Sequence, residues 1–144
     1  MSKYIVCQTK YASLELLLDS LEEIGIKRDH VEVHEQPANL HGYRGDSREQ
    51  KAHVIIRKQF VGSSSNDIGF LRTEDGTYQT YVSDFDRSQT LGRRILSKSM
   101  GGMGELDQVY AKRAVLKVVT DNYGHQIKSC IKKGKKIHIR VQIS

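Results

Sequence analysis

The chain of 144 residues carries a net charge of +6 and is 38% apolar, a composition typical of a globular domain and unlike that of a disordered chain. No run approaches the roughly 18 apolar residues of a membrane-spanning helix. The N-terminal Met1-Ser2-Lys3-Tyr4 leads into no apolar core or cleavage site of a secretory signal. We therefore expect a single domain over residues 1–144, without membrane contact, that stays in the compartment where it is made.

Cysteine usage indicates the compartment. Cys7 and Cys130 lie near opposite ends of the chain, without the spacings of a disulfide framework or a zinc site. Each falls in an apolar alternation and is expected to be a small buried strand residue. A reducing compartment, the cytoplasm or a plastid stroma, fits this usage best.

The first half of the chain places strand and turn signals around one helix. Apolar residues at helical period predict a helix that Ser13 caps and Gly25 ends. Pro37 and the segment 41–46 indicate a loop, and Asp75-Gly76 predicts a tight hairpin. The strands are expected at Tyr4–Thr9, Val31–His34, Ala52–Lys58, Asp67–Leu71 and Tyr78–Val82.

The second half begins with an irregular, basic stretch, Asp84–Gly104. A helix is expected from Glu105 to about Asn122, because acidic residues occupy its first turn and a glycine follows it. The last two strands, Gln126–Lys132 and Lys136–Ile143, are expected to form a hairpin that turns at Gly134. The helix has an apolar stripe of Leu106, Val109, Tyr110, Ala114 and Val118.

The element order β-α-β-β-β-β-α-β-β predicts an α+β fold. In the final strand Ile137, Ile139 and Val141 alternate with polar residues, so one face is apolar and the other solvated. Two helices packed on one face of a mostly antiparallel sheet bury such surfaces in the fewest layers. We therefore expect a two-layer sandwich.

The excess positive charge is confined to the C-terminal third. Residues 1–100 contain equal numbers of basic and acidic side chains. Clustered lysines neutralise phosphates without reading sequence, which favours an anionic partner. Lysines on an exposed edge strand also prevent sheets from pairing, and this alternative stays open. The candidate binding residues of the hairpin are Lys128, Lys132, Lys133, Lys136 and Arg140.

A second candidate anion site is the loop Gly42-Tyr43-Arg44-Gly45, whose glycines permit close approach of a ligand to the backbone. Arg57 and Arg72 end neighbouring predicted strands. An arginine pair beside an aromatic ring suits phosphate binding combined with base stacking. The alternative is that Tyr43 packs over the sheet edge and the arginines are solvated.

Metal and phosphate-loop motifs are weak. His30 and His34 have a ligand spacing only if they lie on a helix, but they fall in or near a predicted strand, with His41 further along. The stretch Gly101-Gly102-Met103-Gly104 lacks the preceding buried strand and the Lys-Ser/Thr of a phosphate loop. We expect neither a metal nor a cofactor.

Catalytic residues are equally hard to find. Asp67, Asp75 and Asp84 flank one predicted hairpin, and they would have to converge in a cleft to act as general acids or bases. Asp75 is more simply the turn residue of Asp-Gly. We therefore expect no catalytic residue.

Short segments taken in order resemble one family. They are Gly42–Gly45, Ala52–Arg57, Asp67–Phe70, Asp75–Tyr78 and Asp84, followed by a helix that contains Tyr110 and a hairpin. Together they resemble the hypothetical chloroplast reading frame thirty-five family, a domain of unknown function in plastids, cyanobacteria, other bacteria and phages. The resemblance covers Tyr4 to Val141. It implies one small domain of this fold and implies no particular chemistry.

These observations favour a non-enzymatic binding module for an anionic partner, either a nucleic acid or a nucleotide. The alternative is a protein–protein adaptor or a self-assembling protein without nucleic-acid contact. An enzyme of unrecognised type is a third hypothesis. Binding that weakens steeply with salt would favour the first, and oligomers insensitive to salt the second.

Overall fold

The structure, a computed structural model, describes residues 3–96, 104–123, 126–133 and 136–142. Its centre is an antiparallel sheet of five strands: β1 (Tyr4–Gln8), β2 (Val31–His41), β3 (Ser47–Ile56), β4 (Ile68–Arg72) and β5 (Tyr78–Ser83). Their order in the sheet is β1-β5-β4-β3-β2. The predicted α+β fold with a mostly antiparallel sheet is confirmed.

Four helices occur in the described part of the chain: α1 (Leu14–Glu23), α2 (Asp84–Gln89), α3 (Leu91–Ile95) and α4 (Glu105–Tyr123). The Ser13 hydroxyl caps α1 by accepting a hydrogen bond from the Leu16 N–H at 3.3 Å. The short helices α2 and α3 occupy a stretch predicted to be irregular, and Ser83 and Thr90 supply their caps. Their brevity explains the error, because five or six residues show no clear helical period.

The helices cover one face of the sheet. Leu17 and Leu21 of α1 and Leu106 of α4 are fully buried in the same cluster as Phe70, at the centre of β4. Tyr11, which precedes α1, lies against both layers, because its ring centre is 6.4 Å from that of Phe70 and 4.7 Å from that of Tyr110. This cluster is the main hydrophobic core.

The hairpin of β2 and β3 is longer than predicted. β2 continues past Pro37 to His41, where a loop was expected, and its register shifts between Val33 and Ala38. Proline is tolerated here because β2 is an edge strand, which needs only half of its backbone groups for pairing. Leu40, Ala52 and Ile55 form a second, smaller core.

Gly69 allows the far half of this hairpin to fold onto the other face of the sheet. A Cβ atom at position 69 would lie 2.7 Å from the Ala52 Cβ and 2.8 Å from the Leu40 Cδ2. The same hairpin brings the Arg48 guanidinium carbon to 4.9 Å from the centre of the Tyr4 ring in β1. The chain thus covers part of its second sheet face with its own hairpin.

The last two strands, β6 (Gln126–Lys133) and β7 (Lys136–Gln142), pair with each other as a separate two-stranded sheet among the described strands. The turn predicted at Gly134 lies outside the described residues. In α4, the predicted core residues Leu106 and Tyr110 are buried, whereas Val118 is 50% exposed. The prediction that Val118 lies in the core is wrong, because the residues of α4 that pack in the main core all come from its first half.

We expect Gly69→Ala to lower the free energy of unfolding by about 1–3 kcal/mol, because an added methyl group overpacks the small core. Urea unfolding followed by circular dichroism measures the change. The double variant Ala52→Gly/Gly69→Ala removes the shorter contact, so its two effects should not be additive. Full additivity would contradict this explanation of Gly69.

Candidate functional site

The polar centre of the molecule is the buried carboxylate of Asp67, immediately before β4. One of its oxygens accepts hydrogen bonds from the His41 N–H and the Arg57 guanidinium, both at 2.7 Å, and the other accepts from the Lys58 N–H at 2.7 Å. The Tyr4 hydroxyl donates to the Asp67 carbonyl at 2.7 Å. The carboxylate, with its three donors, therefore anchors the end of β2 and the residues after β3, and the carbonyl of the same residue anchors β1.

The Arg57 guanidinium bridges this carboxylate to a second one on β2. Its Nε and Nη2 donate to the two Glu32 oxygens at 2.8 and 2.9 Å, and Glu32 also contacts the His34 Nε2 at 2.9 Å. The hydrogen bonds from Arg57 lower the pKa of Glu32, and those to Glu32 raise the pKa of Arg57. The Arg57 side chain is only 19% exposed. The hydrogen-bond donors of the Arg57 guanidinium are therefore occupied by two carboxylates of the same chain.

A second buried network begins at the neighbouring residue, Asn66. The Asp86 carboxylate accepts hydrogen bonds from the Asn66 N–H at 2.9 Å, the Ser83 hydroxyl at 2.7 Å and the Thr90 hydroxyl at 2.9 Å. The Asn66 side-chain oxygen in turn accepts from the Tyr43 N–H at 3.1 Å. Asn66 thereby joins α2 to the β2–β3 turn.

The β2–β3 turn presents Tyr43 and Arg44 at its tip. The Gly45 N–H donates to the Gly42 carbonyl at 2.8 Å, and Gly45 adopts a φ of 82° that few other residues tolerate. Tyr43 is 40% exposed. The Arg44 Nε donates to the Tyr43 hydroxyl at 2.8 Å, and its guanidinium carbon lies 5.3 Å from the ring centre. The tip of the turn therefore presents an aromatic ring and a guanidinium that are joined by a hydrogen bond.

A single 3₁₀ turn, Lys58–Phe60, lies beside this tip. The Lys58 ammonium donates to the Tyr43 carbonyl at 3.3 Å. The Phe60 ring is stacked on the His30 imidazole at 3.9 Å, with 8° between the ring planes, and Phe60 remains 39% exposed. We call the surface formed by Tyr43, Arg44, Lys58 and Phe60 the tip surface.

The expected pair of Arg57 and Arg72 is not formed. Arg57 follows Ile56, which pairs with Ile68 at the start of β4, whereas Arg72 ends β4. About four residues of extended strand, roughly 13 Å or more, therefore separate them. Arg72 is exposed at the opposite end of the sheet from Tyr43.

The three candidate carboxylates do not converge. Asp67 is buried at one end of β4, and Asp75 lies at the other end, in the turn before β5. Hydrogen bonds from the Thr73 and Thr77 hydroxyls lower the pKa of Asp75 to about 2. Asp84 is exposed at the start of α2. By register Asp67 lies at the same end of the sheet as Asp84, but the Asp67 carboxylate is buried and paired with Arg57, so the three carboxylates do not form one group.

The candidate histidines are likewise dispersed, since His30 stacks on Phe60 and His34 contacts Glu32. Among the described residues no cluster of three His, Cys, Asp or Glu side chains could hold a metal ion. Cys7 is a free, half-buried cysteine, and burial raises the pKa of its thiol. Residues 101–103 of the glycine-rich stretch lie outside the described residues.

The basic hairpin residues are placed by strand register. Lys133 is directly opposite Lys136, Arg140 is opposite Ser129, and Lys132 is opposite Ile137. The register shifts between Ile127 and Ser129, so Lys128 has no directly opposite residue on β7. Lys133, Lys136 and Arg140 therefore share one face of the two-stranded sheet by register, and Lys132 falls on the other.

Sequence reasoning missed several residues of these networks, namely Glu32, Lys58, Phe60, Asn66, Ser83 and Asp86. A signal was available for Asn66 and Asp67, because two polar residues directly before an apolar strand commonly cap or anchor it. No local pattern indicated the roles of Glu32 and Phe60, because their partners come from other strands or turns.

No helix in the described part of the chain is long and apolar enough to cross a membrane. Fold and site together define a small α+β protein with a buried, structural carboxylate network beneath an exposed aromatic and basic tip. The chain belongs to the family of proteins of unknown function DUF1257, whose profile matches residues 20–141. No curated protein and no solved structure matches the chain.

We expect Asp67→Asn to lower the free energy of unfolding by about 3 kcal/mol, because it leaves a partly buried arginine without one of its two charged partners. Chemical denaturation measures the loss. Asp84→Asn is the matched control, since Asp84 is exposed, and its effect should stay within about 0.5 kcal/mol. Equal effects of the two variants would contradict the anchoring role.

The lowered pKa of Glu32 has a defined pH dependence. Its ionised form stabilises the folded protein above its ordinary pKa of 4.5, and this contribution is lost as the pH falls through the lower folded value. We expect Glu32→Gln to lower the melting temperature at neutral pH and to reduce its fall between about pH 5 and pH 3. Parallel pH profiles for the variant and the unmodified protein would disprove this assignment.

Proposed function

We propose that the protein is a non-enzymatic binding module for an anionic partner, a nucleic acid, and that the β6–β7 hairpin makes the principal contact. One observation carries the proposal. Residues 124–144 contain six Lys and Arg and no Asp or Glu. The net charge of this segment equals the +6 of the whole chain, so the remaining residues are neutral overall. The charged segment coincides with a separate two-stranded sheet.

The register of this sheet supports an anionic partner. Directly opposite like charges, such as Lys133 and Lys136, repel each other across the strands. A bound phosphate between them would relieve this repulsion. A two-stranded ribbon is also narrow enough to enter the major groove of B-form DNA or to follow a phosphate backbone.

The resemblance to the chloroplast reading frame thirty-five family belongs to the same proposal. The match to DUF1257 agrees with this resemblance in one respect, that both are families of unknown function. We propose further that the protein acts in a reducing compartment, the cytoplasm or a plastid stroma, consistent with the free thiol of Cys7.

Charge reversal of the hairpin tests the proposal. We expect Lys132→Glu/Lys133→Glu/Lys136→Glu to abolish binding of labelled DNA and RNA oligomers in fluorescence anisotropy. Each phosphate that the protein neutralises releases about 0.7–0.9 of a counterion. A variant that loses only some of these contacts should therefore show a flatter plot of log affinity against log salt.

The matched control is Lys10→Glu/Lys27→Glu/Lys51→Glu, three exposed lysines of the body with the same change in net charge. This variant should retain binding if the position of the charge matters. Equal loss in both variants would mean that net charge alone attracts the oligomer. Unchanged affinity of the hairpin variant would refute the proposal.

A second candidate function is a protein–protein adaptor or self-assembling protein, and the second half of α4 favours it. Val115 and Val118 are 47% and 50% exposed and lie three residues apart on one helix face. Such apolar surface is typical of a contact with another protein. Oligomers that persist at high salt in sedimentation would favour this function over nucleic-acid binding.

A further inference from the structure

Two aromatic residues are prominently exposed among the described residues, and both belong to the tip surface. They are Tyr43 and Phe60, whereas Tyr11, Phe70, Tyr78 and Tyr110 are buried. Lys58 connects the two, because its ammonium donates to the Tyr43 carbonyl and its own 3₁₀ turn ends at Phe60. Exposed rings beside a cation are a recurring arrangement in proteins that bind single-stranded nucleic acid.

The backbone beneath both rings is fixed. The Tyr43 N–H is bound by the buried Asn66, and the Lys58 N–H is bound by the buried Asp67. The His30 imidazole covers one face of the Phe60 ring, so the exposed part of that residue lies on the remaining face and edge. Rings held in this way lose little conformational entropy when a ligand stacks on them.

The cations of the tip surface remain available to a phosphate. Arg44 and Lys58 form no salt bridge with the described residues, whereas Arg57, next to Lys58 in sequence, is bound by two carboxylates. The Asp46 carboxylate lies at the base of the turn, against Gly42, and is the acidic group nearest to the tip along the chain. The Asp67 carboxylate, which binds the Lys58 N–H, is already paired with Arg57.

We propose that the tip surface stacks the bases of a single-stranded nucleic acid on Tyr43 and Phe60, with Arg44 and Lys58 contacting its phosphates. This inference rests on the proposed function and deepens it, because the charged hairpin alone would not distinguish single strands from other polyanions. Stacking requires bases, and duplex DNA hides their faces.

The experiment compares a labelled oligothymidylate with a labelled abasic oligomer of the same length and charge, by anisotropy with the full chain. We expect Tyr43→Ala/Phe60→Ala to weaken oligothymidylate binding about tenfold or more and to leave abasic binding within about twofold. Tyr43→Phe/Phe60→Tyr, which keeps both rings, should bind as the unmodified protein does. Val6→Ala/Val33→Ala is the control for loss of exposed apolar side chains elsewhere.

The outcomes separate the two proposals. If the alanine variant binds oligothymidylate normally while the hairpin charge reversal abolishes binding, the stacking surface is refuted and the binding module stands. An equal loss for both oligomers would refute stacking as well, because an abasic strand has no bases. If the unmodified protein binds neither oligomer, the stacking surface is refuted. The binding module is refuted as well only if labelled duplex DNA and RNA oligomers are not bound either.

Discussion

The fold depends on the requirement that a buried charge must find partners. Asp67 lies in the interior directly before β4, where an unpaired carboxylate would cost several kcal/mol. Its partners come from two other segments, which are the end of β2, with His41, and the residues directly after β3, with Arg57 and Lys58. Satisfying one carboxylate therefore fixes where the long hairpin ends relative to the sheet.

Asn66 extends this constraint to the helices. Its backbone N–H and side-chain oxygen connect the Asp86 network under α2 with the turn that carries Tyr43. Two consecutive residues thus hold four segments in place. A buried network of this kind favours a single arrangement, because any shift leaves several polar groups without partners.

The same network divides the basic residues into two groups. Arg57 is held by Glu32 and Asp67, so it serves the fold. The side-chain cations of Arg44 and Lys58 instead donate to the Tyr43 hydroxyl and carbonyl, and neither forms a salt bridge with the described residues. Rigid support beneath exposed cations and rings is a physical basis for binding without catalysis, and the neutral body leaves the strongest long-range field to the C-terminal hairpin.

The sequence by itself determined the elements that depend on local chemistry. Apolar patterning predicted where the strands lie, although not the full length of β2 and β3. Ser13 predicted the start of α1, and Asp75-Gly76 predicted a turn whose glycine has a φ of 86°. These features follow from the spacing and conformational preference of neighbouring residues. The charge asymmetry was also legible, because it requires only counting.

Only the tertiary structure decided which polar side chains meet. Arg57 binds Asp67 ten residues away and Glu32 twenty-five residues away, and the second of these pairs exists only because β2 and β3 are adjacent in the sheet. The exposure of Val118 and of Phe60 likewise depends on which segments pack against them in the folded chain. Strand order, register and the extent of the sheet arise from long-range packing, which no local period encodes.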